Sequence, residues 1–256
     1  MANSPRIILW DIESSLELVA VFQLRNQDWI QPESIVQERH LISAAWKTLG
    51  EAKIESVSLL DDPKLFKFNP HNDLYICQKL HEVLSGADCL IHHNGNKFDI
   101  KYVETRMLVH GLPPLPPIPM IDTYLVAKNR FYFNSNKLAY LGGLLGVGKK
   151  MPTTPGLWME VLKGNAEAIK EMVKYNKQDV ALLERVFLKL QPFVANHVNR
   201  QLYGGAGCPR CGSMKIQSRG TYYALTRTYN RYCCNSCHGW FRDLKADSGS
   251  TTSRVL

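Results

Sequence analysis

Apolar and polar positions alternate along this chain in blocks that predict its elements. Residues 6–12, 17–23, 35–47 and 53–59 are rich in Val, Ile, Leu and aromatic side chains and predict strands. Residues 72–86 carry helical spacing, 88–93 predict a further strand, and a helix is expected from about 99 to 110. Residues 111–120 hold five prolines and predict a stiff, extended connector, because proline lacks the amide donor a helix needs. Residues 122–129, 136–145, 157–163 and 166–190 predict helices. Strands first and helices later, with a helix between strands, point to an α/β fold with a mixed sheet flanked by helices. Tyr203-Gly-Gly-Ala-Gly207 breaks this pattern and marks a domain boundary. The expected units are a domain over 1–200, a small module over 204–245, and a disordered tail over 246–256, which is small and polar.

Three fragments place four acids where such a fold would not be expected to put them. Asp11 and Glu13 close the run Ile7-Ile8-Leu9-Trp10, and strand alternation sends both to one face, within about 7 Å of each other. Two ionised carboxylates that close repel, and burial raises the cost, unless one takes a proton or a cation sits between them. If the strand had already ended, both would be solvated loop residues. Asp99 follows Asn94-Gly-Asn-Lys-Phe98 and opens a helix, where an acid also serves as a cap. Tyr175 and Asp179 are four apart on one helix face, together with Met172, Leu183 and Val186, so Asp179 interrupts the stripe that should be buried.

Taken together, Asp11-Ile-Glu13, Asn94-Gly-x-x-Phe98-Asp99 and Tyr175-x-x-x-Asp179 resemble the three exonuclease motifs of the DEDD superfamily, in its tyrosine-bearing (DEDDy) branch. Their order and spacing are similar to the proofreading domains of B-family DNA polymerases over roughly residues 5–190, with no polymerase domain after them. Residues 41–51 further resemble the ribonuclease-H-like exonucleases often encoded by bacteriophages. The resemblance implies a ribonuclease-H-like fold and removal of nucleotides from 3′ ends. It implies catalytic roles for Asp11, Glu13, Asp99, Tyr175 and Asp179. It also implies two Mg²⁺ or Mn²⁺ ions held by the four carboxylates, Asp11 between both, Glu13 and Asp179 on the nucleophile side, and Asp99 on the second ion. Hard cations about 3.5–4 Å apart suit such oxygen ligands and this hydrolysis. Tyr175, a phenol near pKa 10, is mostly protonated at neutral pH and is expected to orient water, not to act as a base.

Other residues are given lesser roles. Asp122 is read as a helix cap with a secondary chance of supporting the site, and His92 and His93 as packing residues. Ser14 and Phe98 flank the acids and could touch the terminal nucleotide. Gly143-Leu-Leu-Gly-Val-Gly-Lys-Lys150 nearly spells a phosphate-binding loop, but Lys150 replaces the Ser or Thr hydroxyl and a helix precedes it, so a helix ending in glycine is expected.

Cysteine spacing identifies a second chemistry. Cys208-x-x-Cys211 and Cys234-x-x-Cys237 are separated by 22 residues and resemble a zinc ribbon, in which four thiolates form a closed structural Zn²⁺ site. Using Cys233 would give a C-x₃-C spacing, so Cys234 is favoured. Cys77 and Cys89 read as core thiols. Residues 201–256 hold eight Lys or Arg and two Asp, +6 of the chain's +8. A Zn(Cys)₄ centre would lower this to about +4. Arginines alternate there with aromatics, and Arg219, Arg227, Arg231, Tyr232 and Trp240 are candidates to hold phosphates and stack on bases. The expected partner is a nucleic acid, DNA favoured and RNA possible; these residues do not themselves choose between the two.

The 45% hydrophobic and 21% charged composition fits a soluble globular protein. No signal-like start and no apolar run of about 20 residues are present, so a cytoplasmic location is expected, in the host if phage-encoded. The expected activity is a metal-dependent 3′→5′ exonuclease. The alternatives are a structure-specific endonuclease of the same fold, or a nucleic-acid-binding protein with a degenerate nuclease domain.

Overall fold

A computed structural model of the chain describes residues 4–23, 29–224 and 226–246. The expected tail falls outside these residues beyond Ala246. The strands are β1 (Ile7–Ser14), β2 (Leu18–Val19), β3 (Ile35–Gln37), β4 (Leu41–Thr48) and β5 (Glu55–Ser58). Then follow α1 (Pro63–Phe68), α2 (Leu74–Ser85), β6 (Cys89–His92), α3 (Asp99–Val109), β7 (Met120–Asp122), α4 (Thr123–Arg130), α5 (Leu138–Leu144), α6 (Pro155–Leu162) and α7 (Ala166–Leu190). A ribbon of β8 (Ile216–Tyr223), β9 (Thr228–Cys234) and β10 (Trp240–Arg242) closes the described chain.

The main sheet runs β5-β4-β1-β6-β7. β1 is antiparallel to β4 and parallel to β6, and β6 is parallel to β7, so the sheet is mixed and helices cover both faces. Alternation divides β1 between two cores. Ile8, Trp10 and Ile12 pack with Ile76, Leu80 and Leu84 of α2 and Ile100, Val103 and Met107 of α3. Ile7 and Leu9 pack with Val180, Leu183 and Phe187 of α7. Each of these side chains contributes about 1.5–3 kcal/mol by leaving water. Asp11 and Glu13 belong by alternation to the second face, so the packing that seats α7 on the sheet also aims both acids at it.

Several expected elements differ in detail. The strand expected over 17–23 forms only Leu18–Val19, and the one over 35–47 breaks between Gln37 and Leu41. At that break His40 is buried and its amide and ring bond Ser15 Oγ, both at 3.0 Å. α1 and β7 come in addition. β7 follows directly on the prolines and completes the sheet edge.

A buried latch ties β4 to two helices. Asp73 accepts from the Leu41 amide at 2.8 Å, from Arg106 Nε and Nη2 at 2.8 and 2.7 Å, and pairs with His110 Nε2 at 2.6 Å. Burial alone would raise the Asp73 pKa, but these donors bring it below the usual carboxylate range. Cys77 lies beside this group, yet burial pushes its thiol up and Asp73 is already saturated with donors, so the cluster is structural. Among the described residues, no helix is long and apolar enough to cross a membrane.

The ribbon joins the larger unit through its first cysteine turn. Arg210 donates from Nη1 to the Gln191 carbonyl at 2.9 Å and to that of Val194, just past the end of α7. Arg200 bonds back with its amide to Pro209 O at 2.8 Å and with Nε to Arg210 O at 3.0 Å.

Candidate active site

Asp11, Glu13 and Asp179 come together at the sheet centre, with ligand oxygens all within 4.8 Å of one another. The first two arrive from β1 and the third from α7, where Tyr175, Asn176 and Asp179 are buried on one face. Asp99 stands outside this tight group, at the start of α3. It is only 8% exposed, and the backbone amides of Asp99 itself and of Ile12 work against the upward push of burial on its carboxylate. Its charge nevertheless reaches Asp11.

The electrostatics are those of crowded acids, Asp11 and Glu13 half-buried and Asp179 and Asp99 buried. Burial, then the charges of Asp99, Glu13 and Asp179, hold the Asp11 pKa well above the usual carboxylate range. Burial likewise pushes Glu13 up to about 8, Asp99 up to about 6, and Asp179 upward. One cation offsets part of this strain: Lys150 Nζ lies 2.6 Å from Asp179 Oδ2 and 4.8 Å from the centroid of the Tyr175 ring. Burial opposes the Lys150 charge, but Asp179 more than compensates and raises its pKa. Burial also raises the Tyr175 phenol, which therefore keeps its proton at neutral pH.

Two neighbours escaped the sequence reading. Asn176 is fully buried, donates from Nδ2 to Asp11 Oδ2 at 2.7 Å, and accepts from Ser43 Oγ at 3.3 Å. It lies three residues before Asp179 on the same helix face, which was the available signal. Lys150 sits in the loop set aside as a false phosphate-binding motif. α5 does end there, with Gly146 at φ 66°, but the lysine two residues past Gly148 returns to the acids.

The turn before Asp99 is built by Asp122. Its Oδ1 accepts from the amides of Tyr124 at 3.0 Å, capping α4, and of Asn94 at 2.8 Å, and its Oδ2 from the Asn96 amide at 3.4 Å. Asn94 adopts φ 66°, and a Cβ on Gly95 would meet His92 Cγ at 2.6 Å, so the turn requires its Asn-Gly pair. Both histidines pack nearby: His92 is 1% exposed, and His93 bridges Thr123 Oγ1 and Asn136 O, both at 2.9 Å. Phe98 is partly exposed and stacks on Tyr102 at 5.5 Å.

A cleft of about 740 Å³ opens onto Asp11 and Asp179, lined also by Lys97, Lys128, Lys137 and Lys150. Acids and lysines line it together. The ligand atoms that Asp11, Glu13 and Asp179 offer are all carboxylate oxygens, as hard divalent cations require. Asp179 Oδ1 is buried without a hydrogen-bond partner, which leaves it free for such an ion.

In the ribbon, Cys208, Cys211, Cys234 and Cys237 converge, with Sγ–Sγ distances of 3.7 Å for Cys208–Cys237 and for Cys211–Cys234. That is the edge, about 3.8 Å, of a sulfur tetrahedron around Zn²⁺ at about 2.3 Å. The Ser236 amide donates to Cys234 Sγ at 3.4 Å. Cys233 points away, toward the carbonyls of Cys234 and His238. Arg227 lies exposed at the β8–β9 turn, and the Arg219 carbonyl accepts from Arg231.

The RNase_H_2 family model, of the RNase_H superfamily, matches residues 55–191. The match begins at β5, after Asp11 and Glu13, and includes Asp99, Tyr175 and Asp179. A comparison with curated proteins finds no match. Among solved structures, the family B DNA polymerase of the hyperthermophilic archaeon Pyrobaculum calidifontis is similar in fold, with a TM-score of 0.52 at 14% identity over 88% of this chain. The alignment spans 32% of that polymerase.

Proposed function

The chain belongs to the ribonuclease H superfamily, and from that membership and the geometry of its acidic cluster we propose that it is a metal-dependent 3′→5′ exonuclease, with DNA the favoured substrate. The observation that carries this reading is the convergence of Asp11, Glu13 and Asp179 within 4.8 Å, the first two half-buried and the third buried, where desolvation and mutual repulsion raise their pKa values. A fold does not assemble three such acids for stability. The motif spacing shared with proofreading exonucleases supports the 3′ direction.

In this reading residues 1–200 form the nuclease domain and 204–245 a zinc ribbon. Asp11, Glu13, Asp99 and Asp179 hold Mg²⁺ or Mn²⁺. When bound, such ions supply Lewis-acid stabilisation of phosphoryl oxygens and of the departing 3′ oxygen, and acidify water. The chain's own groups set the geometry. Asn176 fixes the Asp11 carboxylate, and Lys150 fixes Oδ2 of Asp179, leaving Oδ1 for a metal. The Tyr175 hydroxyl donates to the attacking water and orients it in line with the phosphorus. The lysines of the cleft wall hold the strand's phosphates. Cys208, Cys211, Cys234 and Cys237 hold one structural Zn²⁺, and the ribbon assists nucleic-acid binding.

The test uses end-labelled single- and double-stranded DNA and RNA with Mg²⁺ or Mn²⁺, comparing wild type with Asp11→Ala. A one-nucleotide ladder from 3′ ends, absent in the variant, is expected. Discrete internal cuts would assign an endonuclease instead, and tight binding without cleavage under either metal would remove the enzymatic reading.

A further inference from the structure

The ribbon has two chemically different faces. Tyr222 pairs with Tyr229, Arg242 with Arg231, and Trp240 with Cys233. Cross-strand partners share a face, and residues two apart on a strand share it too. Tyr222, Tyr229, Arg231, Trp240 and Arg242 therefore lie on one side of the three-stranded sheet. On the other side Tyr232 stacks on Phe241 at 5.4 Å and 22°, and its hydroxyl donates to Asp243 Oδ2 at 3.2 Å. That second face holds the ribbon's own packing, although Tyr232 was among the candidates to touch nucleic acid.

The first face is an ordered stack of rings and guanidinium groups. Arg231 Cζ lies 5.2 Å from the Trp240 centroid. Arg242 Cζ lies 3.7 Å from that of Tyr229 and 5.3 Å from that of Tyr222. Arg231 is further held by the Arg219 carbonyl, which accepts from Nε at 3.2 Å and Nη2 at 3.0 Å. That carbonyl sits in a bulge of β8 between Ser218 and Thr221, where Gly220 takes φ 75°. A guanidinium stacked on a ring keeps in-plane N–H donors for phosphate oxygens. The rings remain open: Trp240 is 51% and Tyr222 43% exposed. Among the described residues no acid lies on this face, and the region around it is strongly basic.

We infer that Tyr222, Tyr229, Arg231, Trp240 and Arg242 form a binding face for single-stranded nucleic acid, with Trp240 and Tyr222 as base-stacking platforms and Arg231 and Arg242 as phosphate contacts. The inference deepens the role proposed for the ribbon and rests on that reading. Exposed ring faces select unpaired bases, because a duplex offers its bases' faces only at its ends. The ribbon would thus deliver a single strand to the cleft.

The test is fluorescence-anisotropy titration of the full-length, zinc-loaded protein with labelled oligo(dT), oligo(rU) and a duplex, without Mg²⁺ or Mn²⁺ so that the strands persist. Both single strands are expected to bind more tightly than the duplex. Trp240→Ala and Tyr222→Ala should each weaken single-strand binding by about fivefold or more, with the salt slope little changed. Arg242→Gln should lower that slope by about one phosphate contact. Tyr223→Ala, exposed on the opposite face, should bind as wild type. Unchanged melting temperature in the variants shows that the ribbon stays folded. Aromatic variants that bind normally, or a duplex bound as tightly as single strands, would overturn the assignment. If the 3′ ladder nevertheless forms with added Mg²⁺ or Mn²⁺, the nuclease reading survives that failure. If no arm binds and nothing is cut, both fall.

Discussion

Asn176 Nδ2 donates to Asp11 Oδ2 at 2.7 Å, a bond between a fully buried helix residue and the first acid of the sheet's central strand. Asn176 has no route to substrate, so it acts on Asp11's orientation alone. Asn176→Ala should lower kcat by about tenfold or more, the worth of a hydrogen bond to a charged group, with KM for nucleic acid nearly unchanged. Steady-state cleavage of an end-labelled strand separates the two constants. A raised KM at unchanged kcat would assign Asn176 to binding.

Tyr175 and Asp11 should differ sharply. The raised phenol of Tyr175 keeps its proton near neutrality, so in the proposed reaction its contribution would be one oriented hydrogen bond. Asp11→Ala should abolish single-turnover cleavage, whereas Tyr175→Phe should lose about 10- to 100-fold. Equal losses would mean that Tyr175 does more than orient water.

How much of this was legible in the sequence depends on the range of the physics involved. Strand alternation put Asp11 and Glu13 on one face, and helix periodicity put Asp179 in a buried stripe, because both rules act within a few residues. β7 was hidden: Met120–Asp122 is three residues long and follows five prolines, so no local period announces it. Its place is fixed by pairing with β6, about thirty residues earlier. Lys150 was hidden for a similar reason. A lysine in a glycine-rich loop carries no period, and only the packing of that loop against α7 brings it to Asp179. The cysteines were legible because metal ligation needs local pairs, but the choice of Cys234 over Cys233 turns on which way β9 faces.

The raised acids give stability a sign. Glu13 moves from the ordinary 4.5 to about 8, and Asp11 also lies well above its ordinary value, so the folded chain holds protons that the unfolded chain releases. That contribution is full at low pH and is lost as pH rises through the folded value. His40 and His93, lowered to about 4 by burial, act oppositely, but their effect is complete by about pH 7. Without added divalent cation, the melting temperature should therefore fall between about pH 7 and about pH 8.5, and Glu13→Gln should flatten the fall. Mn²⁺ should stabilise wild type more at the upper end, because it binds the ionised acids. A flat wild-type profile would contradict the raised pKa values of this pair.

The ribbon and the acidic cluster are linked through α7. Arg210, inside the first cysteine turn, donates to the carbonyls of Gln191 and Val194 at the end of the helix that carries Tyr175 and Asp179. Burial lowers the Arg210 pKa, while Cys237 and Cys208 work to raise it, so its charge faces the cysteines as well as the helix end. The folded turn holds that guanidinium in place, and if the proposed Zn²⁺ keeps the turn folded, losing it would release two carbonyls to compete for water. Arg210→Ala should cost about 1–3 kcal/mol, a drop of several degrees in melting temperature, with the zinc content unchanged. Zinc chelation of wild type should reach the same helix end. Amide exchange in the last turn of α7 should rise in both cases, and the middle of the helix around Asp179 should stay protected by Leu183 and Phe187. If chelation left the last turn as protected as before, Arg210 would be a surface contact with no part in holding the helix. If the middle of the helix opened too, the acidic cluster would depend on zinc for its shape, and chelation would silence cleavage even with the four carboxylates intact.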